Sequence, residues 1–323
     1  MKIVVTGAAG FIGSHLAETL ARQGHTVVGI DSFTDYYSAQ LKQANAADVE
    51  TAGVRLHRLD LASGHIADDL AQALQDVEFV FHLAGQPGIS ASTPLADYVR
   101  NNVVAMDKLL LACQEQSSLR CFVNVSTSSV YGRHAYDPED AAPKPTSYYG
   151  VTKLAAEQLA LALHREKGFP ACSLRIFSVY GPRERPEKLY PKLIRSILTD
   201  TPFPLYEGSR AHSRSFTYVG DIVQGFLALL DRPEHVVGEI INLGSDVEMT
   251  TGEGIALIEE IMGKRARFDM RPRRPGDQLH TYANIGKARN LLGYEPHTQL
   301  AEGLKAEVDW YVNRIYALGL HNV

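Results

Sequence analysis

Tyr149 and Lys153 stand four residues apart in SYYGVTKLAAE, and the hydroxyl run STSSVYG lies about twenty residues upstream. On a helix, side chains four apart share a face, so the ammonium can sit close to the phenol and change its acidity. A free phenol titrates near pH ~10. A cation about 4 Å away at an effective dielectric of about 20 is worth roughly 4 kcal/mol. A shift of that size brings the phenol near neutrality, where a general base works best. The spacing alone recurs by chance in many helices, so its meaning depends on the elements that position it.

The first of these opens the chain. Residues 2–6 read as a buried strand, GAAGFIGSHLAETLARQG as a glycine turn and an amphipathic helix ending at Gly24, and TVVGID as a second strand. Such a βαβ unit fixes a parallel sheet with a right-handed crossover. Gly7, Gly10 and Gly13 let the backbone of the turn approach a pyrophosphate, and Phe11 and Ile12 begin the helix whose amides meet its charge. Asp31 ends the second strand and suits both hydroxyls of an adenosine ribose. The SFTD that follows holds no arginine or lysine to neutralise a 2′-phosphate, so NAD is expected rather than NADP. Asp60 and Leu61, after the third strand, are expected to frame the adenine, with turn capping the alternative for Asp60. Ala84 and Gly85, after the fourth, let the backbone pass close to the cofactor.

The alternation continues through VRLHRLD, VEFVFHLAG, RCFVNVS and ACSLRIFSVYG, with helices expected near 66–75, 95–116 and 148–167. After Gly181 prolines shorten the elements and arginine and tyrosine become frequent. A cofactor domain over 1–180, with a return at about 215–245, and a substrate lobe over 181–214 and 246–323 follow from that change. The return consists of a helix at DIVQGFLALLD and a buried strand at GEIINLG. The last helix, around LAEGLKAEVDWYVNRIY, is expected on the surface of the lobe.

Composition excludes several classes. No apolar run reaches the ~18–20 residues that cross a bilayer, and MKIVVTG enters a strand without a leader-like region, so neither membrane nor export is expected. Cys113, Cys121 and Cys172 lack metal spacing and read as core thiols, which fits a reducing cytoplasm and no metal. A net charge of −5 argues against nucleic acid. Arginines nevertheless crowd the C-terminal half, as expected of a local anion site.

TGAAGFIGSH, HLAGQPG, STSSVYG, YGVTK and RRPGD, in this order, resemble the extended short-chain dehydrogenase/reductases, and among them the NAD-dependent nucleotide-sugar epimerases and dehydratases. The resemblance runs from the first strand to LGYEP near residue 295. It implies an α/β fold: a Rossmann-type doubly wound parallel sheet with a smaller C-terminal α/β substrate-binding lobe. It also implies a homodimer, packed through helices like 95–116 and 148–167.

By the same resemblance Thr127 is the catalytic hydroxyl, Tyr149 the base, and Lys153 the lysine that acidifies the phenol and binds the nicotinamide ribose. Dehydratases of the family carry acids at the two positions after the threonine, and decarboxylating members a glutamate. Ser128 and Ser129 stand here, which favours 4-epimerization through a 4-keto intermediate. The substrate lobe fits a UDP-sugar: Arg214 and Arg274 fall where the family grips the diphosphate, Ser178 where it contacts substrate, and Arg185 is a further candidate for the sugar or its carboxylate. DSFTDYYSAQLK, STSSVYGRH and GPRERP look most like the UDP-glucuronate 4-epimerases.

Those enzymes follow HLAxQxG with a valine and an arginine, and this chain has Ile89 and Ser90. Either Arg185 or Lys192 meets a sugar carboxylate, or the substrate is UDP-glucose or UDP-N-acetylglucosamine. Dehydration, decarboxylation and non-catalytic NAD sensing are the remaining alternatives. Asn284 replaces a usual aspartate and is expected to affect local capping.

Overall fold

Strands buried on both faces read as near-continuous apolar runs, which is the signature of a parallel sheet covered by helices. The computed structural model describes residues 1–322 apart from Ala91, His134 and 274–278. Its strands are β1 (Lys2–Thr6), β2 (Thr26–Asp31), β3 (Arg55–Arg58), β4 (Phe79–His82), β5 (Cys121–Thr127), β6 (Ala171–Ile176), β7 (Val179–Tyr180), β8 (Phe203–Tyr206), β9 (Ser213–Arg214), β10 (Thr217–Tyr218), β11 (Ile240–Leu243), β12 (Met249–Thr250), β13 (Phe268–Arg271) and β14 (His280–Thr281). Seven of them form one sheet in the order β11-β6-β5-β4-β1-β2-β3, and every pairing in it is parallel. The strand at Ile240–Leu243 returns to this sheet beside β6, as its apolar sequence suggested.

The helices are α1 (Phe11–Arg22), α2 (Ala39–Thr51), α3 (Ala67–Leu74), α4 (Leu95–Tyr98), α5 (Ala105–Gln114), α6 (Tyr148–Lys167), α7 (Leu189–Leu198), α8 (Val219–Asp231), α9 (Thr251–Met262), α10 (Gly286–Leu292) and α11 (Leu300–Trp310). A wide helical stretch, Val99–Val104, joins α4 to α5. Leu16 and Leu20 of α1 and Phe226 of α8 pack on one sheet face, while Leu70 of α3, Leu109 of α5 and Ala160 of α6 pack on the other. A third core, around Tyr190, Leu193, Ile255, Leu304 and Val308, joins α7, α9 and α11 beyond the sheet.

Strand order reverses between β1 and β4, so their carboxyl ends open a crevice in which such folds bind ligands. Helix α6 reaches this crevice. Ser147 caps its first turn by accepting from the Gly150 amide at 3.1 Å, and Gly168, in the left-handed conformation at φ 69°, ends it. Helix α2 was not legible beforehand, because its buried face is Lys42, Asn45, Ala46 and Val49 and so lacks an apolar stripe.

Beneath the crevice lies an ion pair that sheet and helix bury completely. Arg175 of β6 donates to Glu157 of α6 twice, Nη2 to Oε1 at 2.6 Å and Nε to Oε2 at 3.0 Å, with side chains 1% and 0% exposed. Ser173 adds a hydroxyl donor at 3.1 Å, and the Tyr131 ring lies 4.7 Å from the guanidinium. Breaking such a pair strands the remaining charge. Arg175→Met is therefore expected to lower unfolding free energy in urea by about 3–5 kcal/mol, and adding Glu157→Met should recover a large part of that loss.

Candidate active site

The crevice deepens into a cavity of about 730 Å³. The first turn shows why glycines are required at its cofactor end. Gly7 adopts φ +72°, and a Cβ there would meet the Ala84 amide nitrogen at 3.0 Å. A Cβ on Gly13 would overlap the Gly7 carbonyl oxygen, so side chains here would push the turn away from β4 or unwind α1. Asp31 lines the cavity at the end of β2, with Oδ2 accepting from Ala9 N at 3.0 Å and Oδ1 from Phe33 N at 2.8 Å. Its orientation is thus fixed by backbone. Asp60 both caps its turn, accepting from Ala62 N at 3.0 Å, and pairs with Arg100.

Gly10, Phe11, Ile12, Leu61, Ala84 and Gly85 complete this end of the wall. An NAD-shaped ligand fits the donor set: close backbone, a helix N-terminus for pyrophosphate, and a carboxylate for ribose. Two cations pack on the loop after Asp31, Lys42 in the cavity lining and Arg58 from β3. Lys42 donates to Thr34 O at 2.7 Å and Oγ1 at 2.9 Å, and Arg58 lies over the Phe33 ring at 4.9 Å.

At the other end Thr127, Ser128, Ser129, Tyr149, Lys153, Ser178, Arg185 and Arg214 share the wall. Thr127 closes β5, and its hydroxyl accepts from Ser129 N at 3.2 Å on the same stretch of wall as the Tyr149 phenol, whose acidity it increases. Lys153, 6% exposed, lies one turn further along α6. Burial lowers its ammonium to about 8, against a smaller raising effect from Glu157. Burial and the Lys153 charge together hold His82 at about 3, so this histidine is neutral where its Nδ1 meets Thr6 Oγ1 at 2.9 Å.

The expected acidification of the phenol by Lys153 is not what dominates. Burial raises Tyr149 above the ordinary phenol range, opposed first by the Thr127 hydroxyl and then by the charge of Arg185. Desolvation outweighs the Arg185 charge because the half-buried Tyr149 ring packs against Tyr98, whose ring centre is 6.4 Å away. Arg185 also lies over the Tyr36 ring at 5.5 Å and alongside Gly88. Lys192 is exposed and outside the cavity lining, so of the two cations considered for a carboxylate only Arg185 reaches it.

Arg274 lies outside the described residues. Glu184 is an acid in the wall that local sequence did not place there, together with Lys188 and Tyr36. No cluster of three or more metal-type ligands occurs among the described residues. No described helix is long and apolar enough to cross a membrane.

Residues 3–244 match the model of the NAD dependent epimerase/dehydratase family. The chain belongs to that family. It is 38% identical over 320 residues to an uncharacterized UDP-glucose epimerase, YtcB, of Bacillus subtilis, covering 98% of this chain and 99% of the relative. UDP-glucuronate 4-epimerase 3 of Arabidopsis thaliana is 34% identical over 96% of this chain and 76% of its own. The crystal structure of the Bacillus cereus UDP-glucuronic acid 4-epimerase with UDP-glucuronic acid and NAD superposes with a TM-score of 0.90 at 39% identity, covering 97% of this chain and 99% of that one. These agree with the family and fold expected from the motifs.

Two measurements check the site. Gly13→Ala should weaken NAD binding about 100-fold, the ~3 kcal/mol of a severe overlap, read by calorimetry. The Lys153 ammonium should titrate by lysine NMR near 8 in the cofactor-free protein, well below the ordinary 10.5.

Proposed function

We propose that the chain is an NAD-dependent UDP-sugar 4-epimerase that interconverts UDP-glucuronate and UDP-galacturonate. The observation that carries the reaction type is the setting of Tyr149: it shares the wall with Thr127, Ser128 and Ser129, and the groups that bear most on its charge are Thr127, Arg185, Tyr98 and Tyr36, none of them a carboxyl. An acid at Ser128 or Ser129 would be needed to drive dehydration. With hydroxyls there, a 4-ketone has the reverse hydride transfer as its simplest exit. Glu184, the carboxyl at the sugar end of the wall, is not among the groups that bear most on Tyr149.

NAD held by the glycine turn, Asp31 and Lys153 would supply a reversible hydride acceptor for C4 and a positively charged ring that favours phenol ionisation. The chain's own residues do the rest. Tyr149 Oη removes the O4 proton and later restores it to the epimer, while Thr127 Oγ1 holds O4 in line. The Lys153 ammonium binds the nicotinamide ribose and adds positive charge behind the phenol. Asp31 holds the adenosine ribose, and Asp60 with Leu61 frames the adenine. Arg214 and Arg274 grip the diphosphate, Ser178 contacts the sugar, and Arg185 takes the C5 carboxylate in place of the arginine replaced by Ser90. Residues 181–214 and 246–323 form the lobe that brings these substrate contacts to the cofactor domain.

A homodimer is part of the proposal. Leu95, Val99, Val104 and Leu111 are exposed along 95–114, as are Tyr148 and Val151 on the neighbouring α6, an apolar stripe suited to pairing helices with a second copy. Three free buried thiols fit a cytoplasmic location.

Incubation with a panel of UDP-sugars without added NAD, followed by proton NMR, should yield the C4 epimer of UDP-glucuronate. Epimerization confined to neutral UDP-hexoses would remove the uronate assignment, and a 4-keto-6-deoxy or pentose product the reaction. Tyr149→Phe should lower kcat by ~10²–10⁴-fold. The solution mass should be twice the 35.5 kDa chain, falling to the monomer in Leu111→Glu/Val151→Glu.

A further inference from the structure

Arg185 is held at its root by the contacts of its own loop and at its tip by groups from two other segments. Just before it, loop 181–188 is fixed to α1 and α2: His15 Nε2 donates to Pro182 O at 2.8 Å, and Arg183 pairs with Glu18 at 2.5 Å and Asp48 at 3.0 Å. These contacts set the backbone but leave a long, rotamer-rich side chain free to choose its direction. At the tip, the guanidinium lies over the Tyr36 ring, 5.5 Å from its centre. Gly88 is the second neighbour. A Cβ there would stand 3.2 Å from Arg185 Nη2 and 3.6 Å from the Tyr36 hydroxyl oxygen, so phenol, guanidinium and bare peptide meet at one point of the cavity wall. The Gly88 carbonyl is fixed in turn, accepting from Tyr98 Oη at 2.7 Å.

The guanidinium placed in this way has capacity to spare. Glu187 Oε1 is an ion-pair partner 3.2 Å from Nη1, yet Nη1 is buried and makes no hydrogen bond among the described residues. A buried charged donor without an acceptor is costly, and a carboxylate entering the cavity would relieve it with the planar, two-point geometry that guanidinium favours. Tyr36 is itself firmly presented. Asp31 Oδ1 accepts from Phe33 N at 2.8 Å, Lys42 donates to Thr34 O and Oγ1, and the same ammonium lies over the Tyr37 ring at 4.8 Å. Segment 32–37 thus carries an aromatic face from Asp31 towards the sugar end of the cavity, and a cation over such a face is attracted to it.

We propose that Tyr36 is a positioning residue for substrate choice: by holding the Arg185 guanidinium against Gly88 it keeps the charge where a C5 carboxylate would sit, and so favours UDP-uronates over neutral UDP-hexoses. The inference rests on the reading that the cavity takes a UDP-sugar whose carboxylate meets Arg185. Ordering the arginine before substrate arrives removes that entropy cost from binding. A neutral hydroxymethyl group gains little from a fixed guanidinium, so the benefit belongs to the acid.

Dissociation constants for UDP-glucuronate and UDP-glucose are measured by calorimetry in NAD-loaded protein carrying Tyr149→Phe, which suppresses turnover. Their ratio reports the choice of sugar and is insensitive to a general loss of stability. Adding Tyr36→Leu should cut the preference for the uronate about tenfold, while Tyr36→Phe should keep it. Arg185→Met should remove the preference, and Tyr36→Leu on top of Arg185→Met should change nothing further. A crystal structure of Tyr36→Leu without substrate should show the guanidinium away from Gly88. An unchanged preference in Tyr36→Leu would overturn the proposal, as would a guanidinium still seated against Gly88. So would an equal loss when Tyr36→Leu is added to Arg185→Met, since Tyr36 would then act on the sugar directly. A parent protein with no preference for the uronate, together with a displaced guanidinium in Tyr36→Leu, would count against the carboxylate reading while supporting Tyr36 as the residue that seats Arg185.

Discussion

An ammonium buried between a helix and a sheet is the constraint on which the site depends. Lys153 is almost wholly removed from water, and such a charge persists only where the surroundings replace its hydration. Glu157, one turn along α6, supplies part of that replacement, and the carboxylate is in turn fixed by Arg175, with Ser173 and Asn124 behind it at 2.9 Å from one another. These contacts tie α6 to β6 and, through Asn124, to β5. They set the distance between α6 and β5, and with it the meeting of Tyr149 and Thr127.

The cofactor half of the molecule obeys a different constraint, the thickness of a peptide. Gly7 and Gly13 bring one turn against the start of a helix and the end of β4 so closely that no Cβ fits. Asn102 extends that order to the catalytic helix, accepting from Gln86 N at 2.7 Å and donating to Thr152 Oγ1 at 3.0 Å. Cofactor turn, catalytic helix and the loop after β4 are thereby one rigid assembly. The substrate loop is attached to it by side chains rather than by backbone, which is where adjustment to a turning sugar has room to occur.

What was legible in the sequence follows from what is local. The glycine turn, Asp31 at a strand end, and the Tyr149–Lys153 spacing on α6 are encoded within single elements, and the structure brings them together with Thr127. The depth of Tyr149 is not local, so the dominance of burial over the lysine charge could not be read from spacing. Tyr36 and Arg185 come from distant segments of the chain, and no periodicity announces such a meeting. Helix α11 is amphipathic as its sequence suggests, with Gly303, Leu304 and Val308 buried on one face and Lys305 and Asp309 exposed on the other, but the carboxyl of Glu307 within the buried face is not announced by the pattern. Asn284 matched its expectation in a modest way, accepting from Gly286 N at 3.4 Å at the turn before α10.

Hydride departure from C4 and its return to the same carbon is the central claim, and isotopic labelling tests it most directly. UDP-glucuronate deuterated at C4 is incubated in ordinary water with the protein as purified, and the products are analysed by NMR. The account predicts UDP-galacturonate with deuterium retained at C4 and no label in solvent. Loss of the C4 label to water, or a product that has lost carbon dioxide, would contradict it.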